Sequence, residues 1–178
     1  MGNSTLMNSA RKQRGTSQSR KSILIVDDHP VVRQGLTQFI NHEPDLVVCA
    51  EAGNAKQALK AVEKQHVDLA IVDMLLKNTT GIQVTKTLKS RCPGLRVLIL
   101  SMRDELYYIK GALQAGARGY ITKEEVAEEI INAIRQVLDG KIYLSGRVAQ
   151  KFPRRTLDRI RAGDLEDSVW EYRPDDRC

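Results

Sequence analysis

Between residues 22 and 139, five short apolar runs alternate with segments in which apolar side chains recur every three or four positions. The runs are 23–26 (ILIV), 46–49 (LVVC), 69–72 (LAIV), 97–100 (VLIL) and the shorter 119–121 (GYI). A run with no polar alternation suits a parallel strand covered by helices on both faces. The intervening segments place Val32, Leu36, Phe39 and Ile40 on one helical stripe, then Ala55, Ala58, Leu59 and Val62. Leu106, Ile109 and Leu113 form another, as do Val126, Ile130, Ile134 and Val137, while 82–89 carries a weaker stripe with Val84 and Leu88. Asp28 with Pro30, Asn54, Asp104 and Thr122 supply helix-start signals. The alternation predicts an α/β fold, a doubly wound (βα)5 parallel sheet with right-handed crossovers and strand order 2-1-3-4-5.

The chain has 178 residues, which fits one ordinary domain with extensions. Four segments are expected: a basic, disordered leader (1–21), the α/β domain (22–139), a linker (140–150) and a short, loosely ordered tail (151–178). The net charge of +6 divides as +5 in 1–21, −1 in 22–139 and +2 in 140–178. The domain itself is therefore nearly neutral, so its charge does not point to nucleic acid. No apolar stretch approaches the roughly 18–20 residues that span a bilayer, and 1–21 lacks the apolar centre of a signal peptide. The expectation is a cytoplasmic protein with no membrane partner. Cys49, Cys92 and Cys178 lack paired spacing and indicate neither a disulfide framework nor a zinc site.

Ligands of open parallel sheets bind beyond the carboxyl ends of the strands, where strand order reverses. Asp27 and Asp28 follow the first run, Asp73 the third, Ser101 the fourth, and Lys123 stands two residues after the fifth. The order 2-1-3-4-5 brings Asp27 and Asp28 beside Asp73. Close carboxylates repel by about 4 kcal/mol per pair at an effective dielectric near 20, so a cation is required. All-oxygen donors favour Mg²⁺, with Mn²⁺ as the substitute. A screened Asp73 could then act as a nucleophile toward a phosphoryl group, with Lys123 and Ser101 pairing its oxygens. Any of these residues alone reads as a helix cap or a solvated side chain. Their coincidence at successive strand ends is what carries the chemistry.

The segments ILIVDDHP, DLAIVDMLLKNTTG, VLILSM and GARGYITK resemble the receiver domain of bacterial two-component response regulators, in particular the nitrate/nitrite and nodulation subgroup with a LuxR-type output. The resemblance implies a flavodoxin-like fold with Asp73 as phosphoacceptor. It also implies Mg²⁺ held by Asp27, Asp28, Asp73 and the Leu75 backbone carbonyl, and Ser101 with Tyr120 as the switch pair. Its implied partner is a sensor histidine kinase or phosphotransfer protein, with self-association into a homodimer left open. Two positions depart from the family pattern: Lys77 replaces a common proline, and Glu124 follows Lys123 where many receivers have proline.

A LuxR-type output would need some 60 residues with a recognition helix. Segment 151–178 shows no two-helix pattern, so DNA contact stays open, and the alternative is a DNA-binding regulator whose output is truncated or degenerate here. A phosphohydrolase with an aspartyl intermediate would want an acid two residues beyond Asp73, where Leu75 stands. The expectation is therefore a phosphoacceptor with slow self-dephosphorylation and not an enzyme. His29, next to Pro30, is expected to be exposed.

Overall fold

The computed structural model describes residues 19–170, and each of the five apolar runs forms a strand. In chain order the elements are β1 (Lys21–Val26), α1 (Pro30–Asn41), β2 (Leu46–Ala52), α2 (Ala55–Lys64) and β3 (Leu69–Asp73). Two-residue strands β4 (Leu75–Leu76) and β5 (Thr79–Thr80) precede α3 (Gly81–Arg91), β6 (Arg96–Ser101), α4 (Leu106–Gln114), β7 (Gly119–Thr122) and α5 (Val126–Leu138). Then come β8 (Tyr143–Leu144), α6 (Gly146–Ala149), α7 (Arg154–Arg161) and a 3₁₀ turn at Asp167–Val169. The sheet runs β2-β1-β3-β6-β7-β8 with every pairing parallel, while β4 and β5 form a separate antiparallel ladder. Its first five strands have the expected order and the flavodoxin-like arrangement.

Successive side chains of a strand face opposite ways, and here both sides are buried. Leu24, Val26, Ala70, Val72, Val97 and Ile99 pack with α2, α3 and α4 through Ala58, Val84, Leu88, Ile109 and Leu113. Ile23, Ile25, Leu69, Ile71, Leu98 and Leu100 pack with α1 and α5 through Leu36, Ile40, Ile130, Ile134 and Val137. This two-sided burial explains why the runs show no alternation. The outer edge of β2 is met by side chains: Asn41 Oδ1 accepts from Val48 N at 2.8 Å and Gln65 Nε2 donates to Cys49 O at 2.9 Å.

Helix starts differ in part from expectation. Asn54 caps α2 by accepting from Gln57 N at 2.9 Å, as expected. The cap residue of α1 is His29 and not Asp28, and that of α4 is Glu105 and not Asp104, neither with a side-chain cap bond. Thr122 does not cap α5; it ends β7 and donates to the Glu125 carboxylate instead. Thr80, overlooked in the sequence, caps α3 by accepting from Gln83 N at 3.3 Å.

Segment 140–150 does more than link. Tyr143 N donates to Arg118 O at 2.9 Å and Ser145 N to Tyr120 O at 3.0 Å, adding β8 to the sheet. Glu125 fastens the following turn, accepting from the Ser145 hydroxyl and, at 2.9 Å, from Arg147 N. Beyond it, Val148, Ile160 and Val169 are buried against the α4 side of the core, so 151–170 is packed and not a loose tail. Lys110 pairs with Asp167 at 3.3 Å and Lys151 with Asp104 at 3.0 Å across that contact. Lys21 opens β1 and pairs with Asp68 at 3.1 Å, one residue earlier than the expected domain boundary. The rest of the leader up to residue 18, and residues 171–178, lie outside the described residues. Among the described residues no helix is long and apolar enough to cross a membrane.

Candidate functional site

β1 and β3 are neighbours, so the residues at their carboxyl ends meet. Asp73 is the last residue of β3, and Asp27 directly follows β1. Both are almost wholly buried. Lys123, just after β7, reaches across β6 to both: its Nζ lies 2.7 Å from Asp27 Oδ2 and 3.0 Å from Asp73 Oδ2. The Arg33 guanidinium donates to Asp27 O at 2.6 Å and so secures the turn between β1 and α1.

These contacts set the local electrostatics. Burial pushes the Asp73 carboxyl above its ordinary value, and the nearby Asp27 charge adds to this, although Lys123 and the Leu75 amide oppose it. Burial alone would lower the Lys123 ammonium, but its bonds to Asp27 and Asp73 outweigh that and raise it. Lys123 thus acts as the internal counter-ion of the pair.

Oxygens of Asp27, Asp28 and Asp73 and a ring nitrogen of His29 all lie within 4.8 Å of one another. His29 is exposed, as expected, yet its Nδ1 stands 2.9 Å from Asp27 Oδ1 and 3.1 Å from Asp28 Oδ1. One ring nitrogen can engage only one of these well, and the shorter Asp27 contact takes it. Asp28 Oδ1 is then buried without a hydrogen bond among the described residues, which is costly for a carboxylate. An orphaned acidic oxygen inside a cluster of carboxylates fits a hard divalent cation, and the oxygen-rich donor set suits Mg²⁺. Sequence reasoning did not include His29 in this cluster. The signal was its place two residues beyond Asp27, whose Oδ1 also accepts from His29 N at 2.8 Å.

Leu75 adjoins the cluster through its amide, which donates weakly to Asp73 Oδ1 at 3.4 Å. Gly81 shapes the same loop: its N–H donates to Met74 O at 2.8 Å, and a Cβ there would stand 2.5 Å from Asp73 O. Only glycine permits this approach.

Ser101 is fully buried at the end of β6. Its hydroxyl accepts from Arg103 N at 2.8 Å, and its carbonyl accepts from Lys123 N at 2.7 Å. Tyr120 is also fully buried, and its hydroxyl donates to Arg103 O at 2.7 Å. Burial, ahead of the neighbouring acids, pushes the phenol to about 12. The Tyr120 side chain is thus turned inward in this conformation. Tyr120→Phe is expected to cost about 1 kcal/mol through loss of the Arg103 bond. Thermal unfolding would show this as a fall of about 2–4 °C, with the Asp27–Lys123–Asp73 contacts untouched.

Comparison with known proteins agrees with this geometry. A family model described as the response regulator receiver domain matches residues 23–135. The chain is 37% identical over 127 residues to the transcriptional activator protein ExaE of Pseudomonas putida, covering 71% of this chain and 59% of that protein. It is 30% identical over 130 residues to the nitrate/nitrite response regulator protein NarL of Escherichia coli K12, covering 73% and 60%. A solved two-component response regulator of the LuxR family from Aurantimonas sp. SI85-9A1 superposes with a TM-score of 0.71 at 33% identity, covering 74% of this chain and 94% of that one. The chain spans 64% or less of the length of the first three curated relatives it matches. With more than half of its residues inside that family model, the chain belongs to the response regulator receiver domain family.

Proposed function

We propose that the chain accepts a phosphoryl group on Asp73 in a Mg²⁺-dependent reaction and passes the change to a protein-interaction surface, in signal transduction controlling transcription. The observation that carries this reading is Lys123 bridging two buried carboxylates from different strands, beside an acidic oxygen with no partner. The donor is a phosphohistidine of a sensor kinase or phosphotransfer protein. An Asp73 carboxylate oxygen forms the new bond to phosphorus while the P–N bond breaks, its electron pair staying with the histidine nitrogen. Asp27, Asp28 and Asp73 would hold Mg²⁺, which when bound supplies positive charge against the oxygens of the transferring group. His29 and the Leu75 backbone border that position.

Lys123 Nζ, already at Asp73, pairs a phosphoryl oxygen. The Ser101 hydroxyl turns to donate to another, giving up Arg103 N–H and loosening the segment held by Arg103 O on Tyr120 and by Asp104 on Lys151. The surface that responds is that of α4, β7 and α5, whose β7 edge and α4 side are covered here by β8 and residues 145–170 of the same chain. The acyl phosphate decays by slow self-hydrolysis, so the chain serves as a phosphoacceptor and not as a turnover catalyst. The likeness to transcriptional regulators supports an output in transcription.

Intact mass after incubation with acetyl phosphate and Mg²⁺ is expected to rise by one phosphoryl group in the parent and stay unchanged in Asp73→Asn. An adduct that persists in the variant would reassign the acceptor. The variant should also unfold at a higher temperature than the metal-free parent. Because Asp73 has its folded value raised, its contribution is fully present below the unfolded value and is lost as pH rises through the folded one. The parent's stability advantage at low pH, measured by melting in chelator, should shrink in Asp73→Asn.

A further inference from the structure

The amino ends of β6 and β7, at the far end of the sheet from Asp73, border a cleft of about 480 Å³ lined, among the described residues, by Lys89, Arg96, Arg118 and Arg161 and by no acidic one. The four cations come from separate elements: the last turn of α3, the first residue of β6, the residue before β7 and the last residue of α7. Arg118 is fixed on both sides, its N–H donating to Val97 O at 2.8 Å and its carbonyl accepting from Tyr143 N at 2.9 Å. Gly140 and Gly163, with φ of 83° and 89°, turn the chain after α5 and α7 on the cleft wall. A Cβ on Gly163 would stand 3.9 Å from Arg118 Nη1, so that guanidinium lies along the turn that follows Arg161.

Among the described residues Arg33, Arg103, Arg135, Arg147 and Arg159 each pair with a carboxylate, whereas Arg20, Arg91, Arg96, Arg118, Arg154, Arg155 and Arg161 do not, and three of these meet at this cleft. Lys89 donates to Pro93 O and Leu95 O, and burial, then the Arg118 and Arg96 charges, push its ammonium below the ordinary value. A cation at a helix carboxyl end has an ordinary explanation in the exposed carbonyls, which covers Lys89 and Arg161. It does not cover Arg96 and Arg118, which stand at strand starts. Like charges gathered in a recess repel, and an anion would relieve them.

We propose that this cleft binds a compact anion with two or more linked phosphoryl groups, gripped by Arg96, Arg118 and Arg161 with Lys89 in its wall. The guanidinium fork matches phosphate oxygens two at a time, and the volume falls within the range of small-ligand sites. A duplex backbone spreads its charges along a rod and is met by protruding cations. Here Arg118 and Arg161 are exposed, but Arg96 and Lys89 are half-buried, and that pair favours a small ligand that enters the recess. The site is separate from the Asp73 cluster and does not depend on its function.

Pyrophosphate and tripolyphosphate titrated calorimetrically into the metal-free full chain are expected to bind saturably, with amide shifts at Arg96, Arg118 and Gly163. Arg118→Gln and Arg161→Gln should each weaken binding about tenfold, the effect of losing about 1.4 kcal/mol of charge-assisted bonding. Asp73→Asn should bind as the parent does. Circular dichroism checks that both arginine variants fold, and Arg161, on an exposed helix end, is the safer of the two. Absence of saturable heat, or equal binding by parent and both arginine variants, overturns the proposal. Duplex DNA shifting the same amides while pyrophosphate fails to compete would overturn it in favour of nucleic acid.

Discussion

Lys123→Met is expected to lower metal-free stability by about 3 kcal/mol, the lower end of the cost of unpairing buried charges. Only 16% of the Lys123 side chain is accessible, and Asp27 and Asp73 are buried more deeply, so solvent screens these contacts little. For a chain of this size the loss corresponds to about 6–12 °C in melting temperature. Millimolar Mg²⁺ should narrow the gap, because a cation that binds only the folded state restores the missing positive charge. Phosphorylation by acetyl phosphate should still be at least about 10²-fold slower in the variant, since the phosphoryl oxygens lose their ammonium partner. An unchanged melting temperature in chelator would mean that the Lys123 bridge contributes no net stability.

The second large effect is expected at Gly81→Ala. The added methyl would lie 2.5 Å from Asp73 O and 3.0 Å from Met74 Cα, both backbone atoms that cannot swing aside. Backbone displacement of this kind costs about 1–3 kcal/mol. Because the displaced atoms carry the Asp73 side chain, phosphorylation should slow by about 10²-fold as well. Unlike the Lys123 variant, this one should not be rescued by Mg²⁺, since no charge is missing. Gly35→Ala on α1, where nothing lies within 4 Å of the new methyl, provides the control: it should raise stability by about 0.5–1 kcal/mol and leave phosphorylation alone.

β1, β3, β6 and β7 were legible because each is buried on both faces and must therefore be a continuous apolar run; β2, at the sheet edge, is only half-buried from Val47 to Ala50 yet carries the same kind of run. Asp27, Asp73 and Ser101 were legible for a related reason, as the first polar residues where those runs stop, and Lys123 follows its run one residue later, after Thr122. Positions set by tertiary contact left no such trace. Tyr143–Leu144 is too short to show a period, and it becomes a strand only because β7 offers an open edge. Residues 154–161 read as a short possible helix, strongly basic, and α7 forms there; its docking was not legible, because the single buried Ile160 that seats it is not distinguishable from a stray apolar residue. Asp28 before Pro30 looks like a helix cap, yet His29 takes that position and leaves the Asp28 carboxylate to the acidic cluster. The rotamer of Tyr120 depends on Arg103 O, seventeen residues away, and no local pattern encodes it.

The side chains of Asn41 and Gln65 on the flank of β2 also bear on how copies of this molecule can meet. An open strand normally invites another chain to zip onto it through its amides and carbonyls. Here the two flanking helices lend their own amide groups to those positions at Val48 and Cys49, like stoppers in a row of sockets. Sheet-to-sheet fusion along this side is therefore blocked at its middle.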